Sequence, residues 1–187
     1  MTQQQVAFAV LIAVWGLWGL SFVVRRARVP RPQAAIVARA AILGIALQAI
    51  AYAVIWSQKG RVVLRGDAWW LVTAFGFGVV SLVLIWWAIP ALGKQWRVQA
   101  GLNADHELIQ AGPYRLVRHP IYASMLALFL CTGLLLTPWP RFGIALVVFL
   151  IGQEIRVRAE ERLLLTRFGK QYEDYRKRVW AYMPFIR

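Results

Sequence analysis

Two polar stretches of this chain carry residue types that could do chemistry. The first is Gly112-Pro113-Tyr114-Arg115-Leu116-Val117-Arg118-His119-Pro120-Ile121-Tyr122. Proline suits the first position of a helix, where its missing N–H would be unpaired anyway, so Pro120 predicts a helix start. Arg118 and His119 then stand at a helix N-terminus, where free N–H groups and the positive dipole end favour an anion such as a carboxylate. The second stretch is 154–187, with helical spacing and two adjacent acids, Glu160-Glu161. Arg156 and Glu160 are i, i+4 neighbours, while Glu154, Arg158 and Glu161 share another face. Successive helical side chains point about 100° apart, so either Glu160 or Glu161, and not one in particular, is the candidate to act on a ligand. Each stretch also has a plainer reading, as a headgroup anchor and as a solvated amphipathic tail whose salt bridges contribute little.

Other chemistries lack their residues. His106 and His119 are the two imidazoles, and neither lies in an HExxH or cysteine-rich spacing, so no metal is expected. There is no Walker A loop and no GxGxxG between a strand and a helix. Cys131, the single cysteine, lies within an apolar run and reads as packing.

The elements that must position these residues are set by composition. Of 187 residues, 60% are hydrophobic and 16% charged, and mean hydropathy is +0.54. Soluble proteins have about 45–50% apolar and about 25% charged residues, so the solvent here is mostly lipid. An all-α integral membrane protein of about five transmembrane helices is expected. Apolar runs at 6–24, 40–56 and 68–89 have spanning length or nearly so, the third ending at Pro90. The run 121–152 is broken at Thr137-Pro138-Trp139-Pro140-Arg141, which predicts a tight helical hairpin whose second arm, from 142, continues into the charged helix. The run 6–24 lacks a positive n-region and is followed by Arg25-Arg26, so it reads as a retained span rather than a signal peptide. Gly169 reads as a helix stop, with a short helix carrying Tyr172 and Tyr175 beyond it. Two parts follow: 1–92 with three spans, and 93–187 with the polar loop, the hairpin and a cytoplasmic C-terminal tail.

The formal charge of +14 is explained by topology without nucleic acid. With five spans, one side carries 5 Lys/Arg on the 25–39 loop, 4 on 94–118 and 9 on the tail, against 4 on the other side. The positive-inside rule then puts the N-terminus outside and the C-terminus in the cytoplasm, as in a bacterial inner membrane. Trp69-Trp70 and Trp86-Trp87 lie at opposite ends of the third span, as an interfacial belt predicts.

At these residues the chain resembles the membrane methyltransferase superfamily of isoprenylcysteine carboxyl methyltransferase and phospholipid N-methyltransferase. The resemblance covers 112–187. It comprises Gly-Pro-Tyr and Arg-His-Pro-x-Tyr at 112–122, a hairpin, then Arg156, Glu160-Glu161, Leu164, Phe168-Gly169, Tyr172, Tyr175, Arg178-Val179 and Pro184-Phe185-Ile186. The tail is most similar to the isoprenylcysteine branch. Ser124 departs from the pattern, in which glycine usually follows Arg-His-Pro-x-Tyr-x. The resemblance implies S-adenosylmethionine as methyl donor, S-adenosylhomocysteine as product, and a lipophilic acceptor entering from the bilayer.

On that reading Tyr114, Arg118, His119, Pro120, Tyr122, Glu160 and Glu161 hold the cofactor. Arg118 and His119 would receive its carboxylate, Glu160 or Glu161 its ammonium or ribose hydroxyls, and Tyr122 would pack on the sulfonium or adenine. Arg156 and Glu161 are the expected catalytic residues: Arg156 orients a carboxylate acceptor, and Glu161 would instead deprotonate an amine. The runner-up is an aminophospholipid N-methyltransferase. A nicotinamide-dependent membrane reductase needs a larger bundle, and a non-catalytic recruitment protein would not need two polar motifs flanking one hairpin.

Overall fold

The computed structural model describes residues 2–26, 36–37, 40–57, 68–93, 101–102 and 107–183. The order is α1 (Gln3–Arg26), β1 (Ile36–Val37), α2 (Ala40–Trp56), α3 (Ala68–Leu92), β2 (Gly101–Leu102), a 3-10 turn (Gly112–Arg115), α4 (Pro120–Leu136), α5 (Trp139–Phe168) and α6 (Lys170–Arg178). Among the described residues the architecture is helical apart from β1 and β2, two-residue strands paired antiparallel that the sequence pattern does not announce. His106 and the end of the tail, 184–187, lie outside the described residues.

Most predicted boundaries match. α4 starts at Pro120, and α5 runs unbroken from Trp139 through the charged segment to Gly169, whose φ of 49° stops it. Pro90 is the exception: it lies inside α3, which continues to Leu92. A proline near a helix end removes one hydrogen bond, so the last residues still complete a turn before Gly93, with φ of 55°.

α2 packs along α5, α3 along α4, and α1 against α3. Phe129 on α4 is fully buried and stacks on Phe149 of α5 at 4.2 Å between ring centroids. Tyr52 of α2 meets Phe129 edge-on at 5.1 Å, so aromatic rings join three helices. At the hairpin Gly133 leaves room for Phe142, whose ring lies 2.3 Å from where a Cβ would stand.

The outer surface inverts the soluble pattern. Ile42, Val72, Val79, Val83, Ile144 and Val147 are exposed, and α1 and α3 are each long and apolar enough to cross a membrane. Trp69, Trp86 and Trp87 are exposed as a belt requires, whereas Trp70 turns inward and donates to the Leu134 carbonyl at 2.9 Å. Inside the bundle, polar side chains pair with one another. Trp15 donates to Thr132 at 3.1 Å, Trp18 to the Ser124 hydroxyl at 2.7 Å, and Ser124 to the Ser81 carbonyl at 3.0 Å. Such pairing removes the penalty of leaving polar groups bare in an apolar interior.

Candidate active site at the mouth of the helical hairpin

The start of α4 is built by chain crossing rather than by a side-chain cap. Val117 pairs with Trp180 as an isolated parallel bridge; the N–H of Arg118 donates to the Trp180 carbonyl at 2.7 Å and that of His119 to the Ala181 carbonyl at 2.8 Å. Residues just after α6 therefore fix the backbone that presents Arg118 and His119. The Arg118 side chain reinforces this by donating from Nη1 to the carbonyls of Arg176 and Val179. A cation on the last carbonyls of a helix also complements its dipole.

The rest of Arg118 points at Glu161. Its Nε and Nη2 donate to Glu161 Oε1 at 3.2 and 2.7 Å, and His119 Nε2 lies 3.4 Å from the same oxygen. All three residues are about 4% exposed. Burial pushes the Glu161 carboxyl up, but the hydrogen bonds and charges of His119 and Arg118 outweigh it and hold the group well below the usual carboxylate range. Tyr172 of α6 is buried beside this pair, and burial together with the Glu161 charge raises its phenol. Four of the five N–H groups of Arg118 are thus committed within the protein.

Glu160 faces elsewhere, as its 100° offset requires. It is half-buried, forms no ion pair among the described residues, and is the charge beside the rings of Tyr114 and Tyr122. Tyr114 is buried under α6, its carbonyl accepting the Tyr175 hydroxyl at 2.6 Å; burial first, then Glu160, raises its phenol well above the ordinary value. Tyr122, two residues into α4, joins the two groups. Its ring centroid lies 5.7 Å from that of His119, and the Arg156 guanidinium sits 4.9 Å over it.

Arg156 is held from the other side by α2, where its Nη1 donates to Gln48 Oε1 at 2.6 Å. The approach depends on Gly44 and Gly152. A Cβ on Gly44 would stand 2.5 Å from both the Gly152 carbonyl and Arg156 Cγ. The structure thus brings Tyr114, Arg118, His119, Pro120, Tyr122, Arg156, Glu160 and Glu161 to one end of the bundle. Ser124 turns away, its hydroxyl engaged by α1 and α3.

Gln48 is the polar residue that motif reasoning missed. Its signal is readable: Ala41, Gly44, Gln48, Ala51 and Ile55 form one buried stripe at helical spacing, with a single polar member. Gly44 and Gly152 escaped for a different reason, since Gly16, Gly19 and Gly76 look as suitable for close packing and have nothing within 4 Å of a Cβ.

A helical membrane bundle with a buried polar site where the hairpin meets a C-terminal helix pair defines a narrow class of protein. The chain belongs to the isoprenylcysteine carboxyl methyltransferase family, which it matches over residues 72–166, half of its length. It is 31% identical over 123 residues to protein-S-isoprenylcysteine O-methyltransferase B of Arabidopsis thaliana, covering 63% of this chain and 61% of that one. It is 36% identical over 116 residues to the protein-S-isoprenylcysteine O-methyltransferase of Schizosaccharomyces pombe, covering 61% and 49%. This chain therefore spans less than two thirds of either relative. Its fold is similar to the solved structure of a eukaryotic intramembrane Ras methyltransferase, isoprenylcysteine carboxyl methyltransferase, with a TM-score of 0.57 at 25% identity, covering 79% of this chain and 51% of that one.

Proposed function

We propose that this protein is an S-adenosylmethionine-dependent methyltransferase of the membrane that esterifies the carboxylate of a lipophilic acceptor. The observation that carries the reading is the position of Tyr122, between the His119 and Glu161 group and the Arg156 and Gln48 group. One aromatic ring thus borders both a cofactor half and an acceptor half.

The residues fit the cofactor's chemistry. S-adenosylmethionine supplies an activated methyl group on a sulfonium. Glu160, without an ion-pair partner among the described residues, suits an ammonium or ribose hydroxyls, and the rings of Tyr114 and Tyr122 suit a sulfonium or adenine. His119 and the remaining N–H of Arg118, at the positive end of α4, suit a carboxylate. Glu161 holds both of these donors in place. Little proton movement is required, because an acceptor carboxylate is already ionised at neutral pH, so alignment supplies most of the rate. Arg156 orients the acceptor oxygen, and the buried surroundings exclude water that would compete.

The same reading includes five spans, with α2, α4 and the first part of α5 completing those of α1 and α3, an N-terminus outside and a cytoplasmic site in a bacterial inner membrane. The excess of Lys/Arg on the 25–39 loop, the 94–118 loop and the tail supports that orientation.

The test is calorimetric binding of S-adenosylmethionine to the detergent-purified chain, with transfer of labelled methyl to an S-prenylated cysteine bearing a free carboxylate. Micromolar binding, weakened in His119→Ala and Glu160→Ala, with label in a base-labile ester, is the expected result. Label in a phospholipid amine instead would make the chain an N-methyltransferase, and a folded parent that binds no S-adenosylmethionine would overturn the assignment.

A further inference from the structure

We propose that Gln48 of α2 is a specificity-determining residue, whose side-chain N–H groups receive the acceptor's carboxylate beside Arg156; this rests on the carboxyl-methyltransferase reading. Gln48 lies outside the 72–166 family match, on a helix without a single charge. It is 3% exposed. Arginine is a donor only, so the 2.6 Å contact from Arg156 Nη1 fixes which end of the Gln48 amide is oxygen. The Nε2 end is then committed to the other direction.

That nitrogen has no hydrogen-bond partner among the described residues, nor has Arg156 Nε. A buried donor left in this state keeps its desolvation penalty until an acceptor meets it, and here two such donors lie side by side. Because Gln48 and Arg156 share a hydrogen bond, the free donors belong to adjoining groups with one net positive charge between them. An anion with two acceptor oxygens is their complement. An ammonium acceptor is repelled, and a methyl ester, having lost the charge, is held less well. The pair therefore selects the carboxylate substrate over an amine and over its own product. Its guanidinium lies over Tyr122, so a carboxylate held here is presented at the ring that borders the cofactor half.

The decisive variant is Gln48→Glu. It keeps an oxygen for Arg156 and the side-chain length, but replaces the donor with a second, anionic oxygen. With N-acetyl-S-farnesylcysteine as acceptor, its KM is expected to rise about a hundredfold, while the melting temperature holds and S-adenosylmethionine affinity stays near that of the parent. Gln48→Met, which removes both polar ends, is expected to raise KM about tenfold. A purely structural Gln48 predicts a parent-like KM in Gln48→Glu, and that result overturns the proposal. Should Gln48→Glu fail to fold, Gln48→Met decides: an unchanged KM, or loss of fold there too, reduces Gln48 to packing. A parent that binds S-adenosylmethionine and methylates the acceptor, with variants indistinguishable from it, refutes this inference alone; a folded parent that does neither removes the functional reading and this inference together.

Discussion

Arg118 and its exposed neighbour Arg115 differ only in what surrounds them, and that difference decides what each can do. Arg118 is enclosed with Glu161 and His119, so breaking the group strands a buried charge. Removing one partner of a buried pair destabilises by about 3–5 kcal/mol, and Glu161→Gln is expected to lower the melting temperature accordingly, whereas Arg115→Ala is expected to leave it in place. The pH dependence has a definite sign. The folded carboxyl of Glu161 is held below its unfolded value of about 4.3, so its contribution is full above that pH and is lost as pH falls through the folded value. Thermal unfolding followed from pH 7 to pH 3 should show an acid-side decline that is shallower in Glu161→Gln. An identical decline in both proteins would mean that Glu161 does not report the group's ionisation. Ser124 gives the complementary lesson: with its hydroxyl spent on α1 and α3, Ser124→Gly is expected to loosen that contact and leave cofactor affinity unchanged.

At the scale of elements, two helices approach closely enough for Arg156 to meet Gln48 because both carry glycine at the crossing. Gly44→Ala and Gly152→Ala each place a Cβ within 2.7 Å of the opposing backbone carbonyl, so the helices must separate. Overpacking of this kind costs about 1–3 kcal/mol, and the shift should also raise the acceptor KM by moving Arg156 off Gln48. Gly16→Ala, where nothing lies within 4 Å, is the control and is expected to stabilise α1 slightly. Differential scanning of the three variants in one detergent separates these outcomes. The contrast explains what could be read from the chain. Pro120 and Gly169 mark helix ends through backbone constraints carried by single residues, so α4, α5 and the motifs at their ends were legible. The Gly44 and Gly152 contact, the β1 and β2 pairing and the tie from Arg118 to the end of α6 are relations between distant residues, and no local pattern encodes them. Pro90 differs because a proline near a helix end removes only one hydrogen bond, which leaves room for most of a further turn to Leu92.

For the whole molecule, the proposed orientation makes a direct prediction. Cys131 is buried, so a cysteine introduced on the surface is expected to be the site that reacts with a membrane-impermeant maleimide. Thr2→Cys should label in intact cells and Lys170→Cys only after the membrane is opened; the reverse pattern would invert the topology. The crossing of 117–119 with 180–181 also has a consequence in time. The residues that lock the mouth of α4 are some 60 positions downstream of it, as in the pairing of Arg118 with Val179. At roughly 5–20 residues per second, a ribosome delivers that segment several seconds after the motif it secures. Until then the nascent chain has its apolar helices available for insertion while Arg118 and His119 lack the carbonyls that fix their backbone. Helix insertion can thus precede closure of the polar mouth, and the competence to hold a polar ligand is acquired after the apolar helices have left the ribosome rather than along with them.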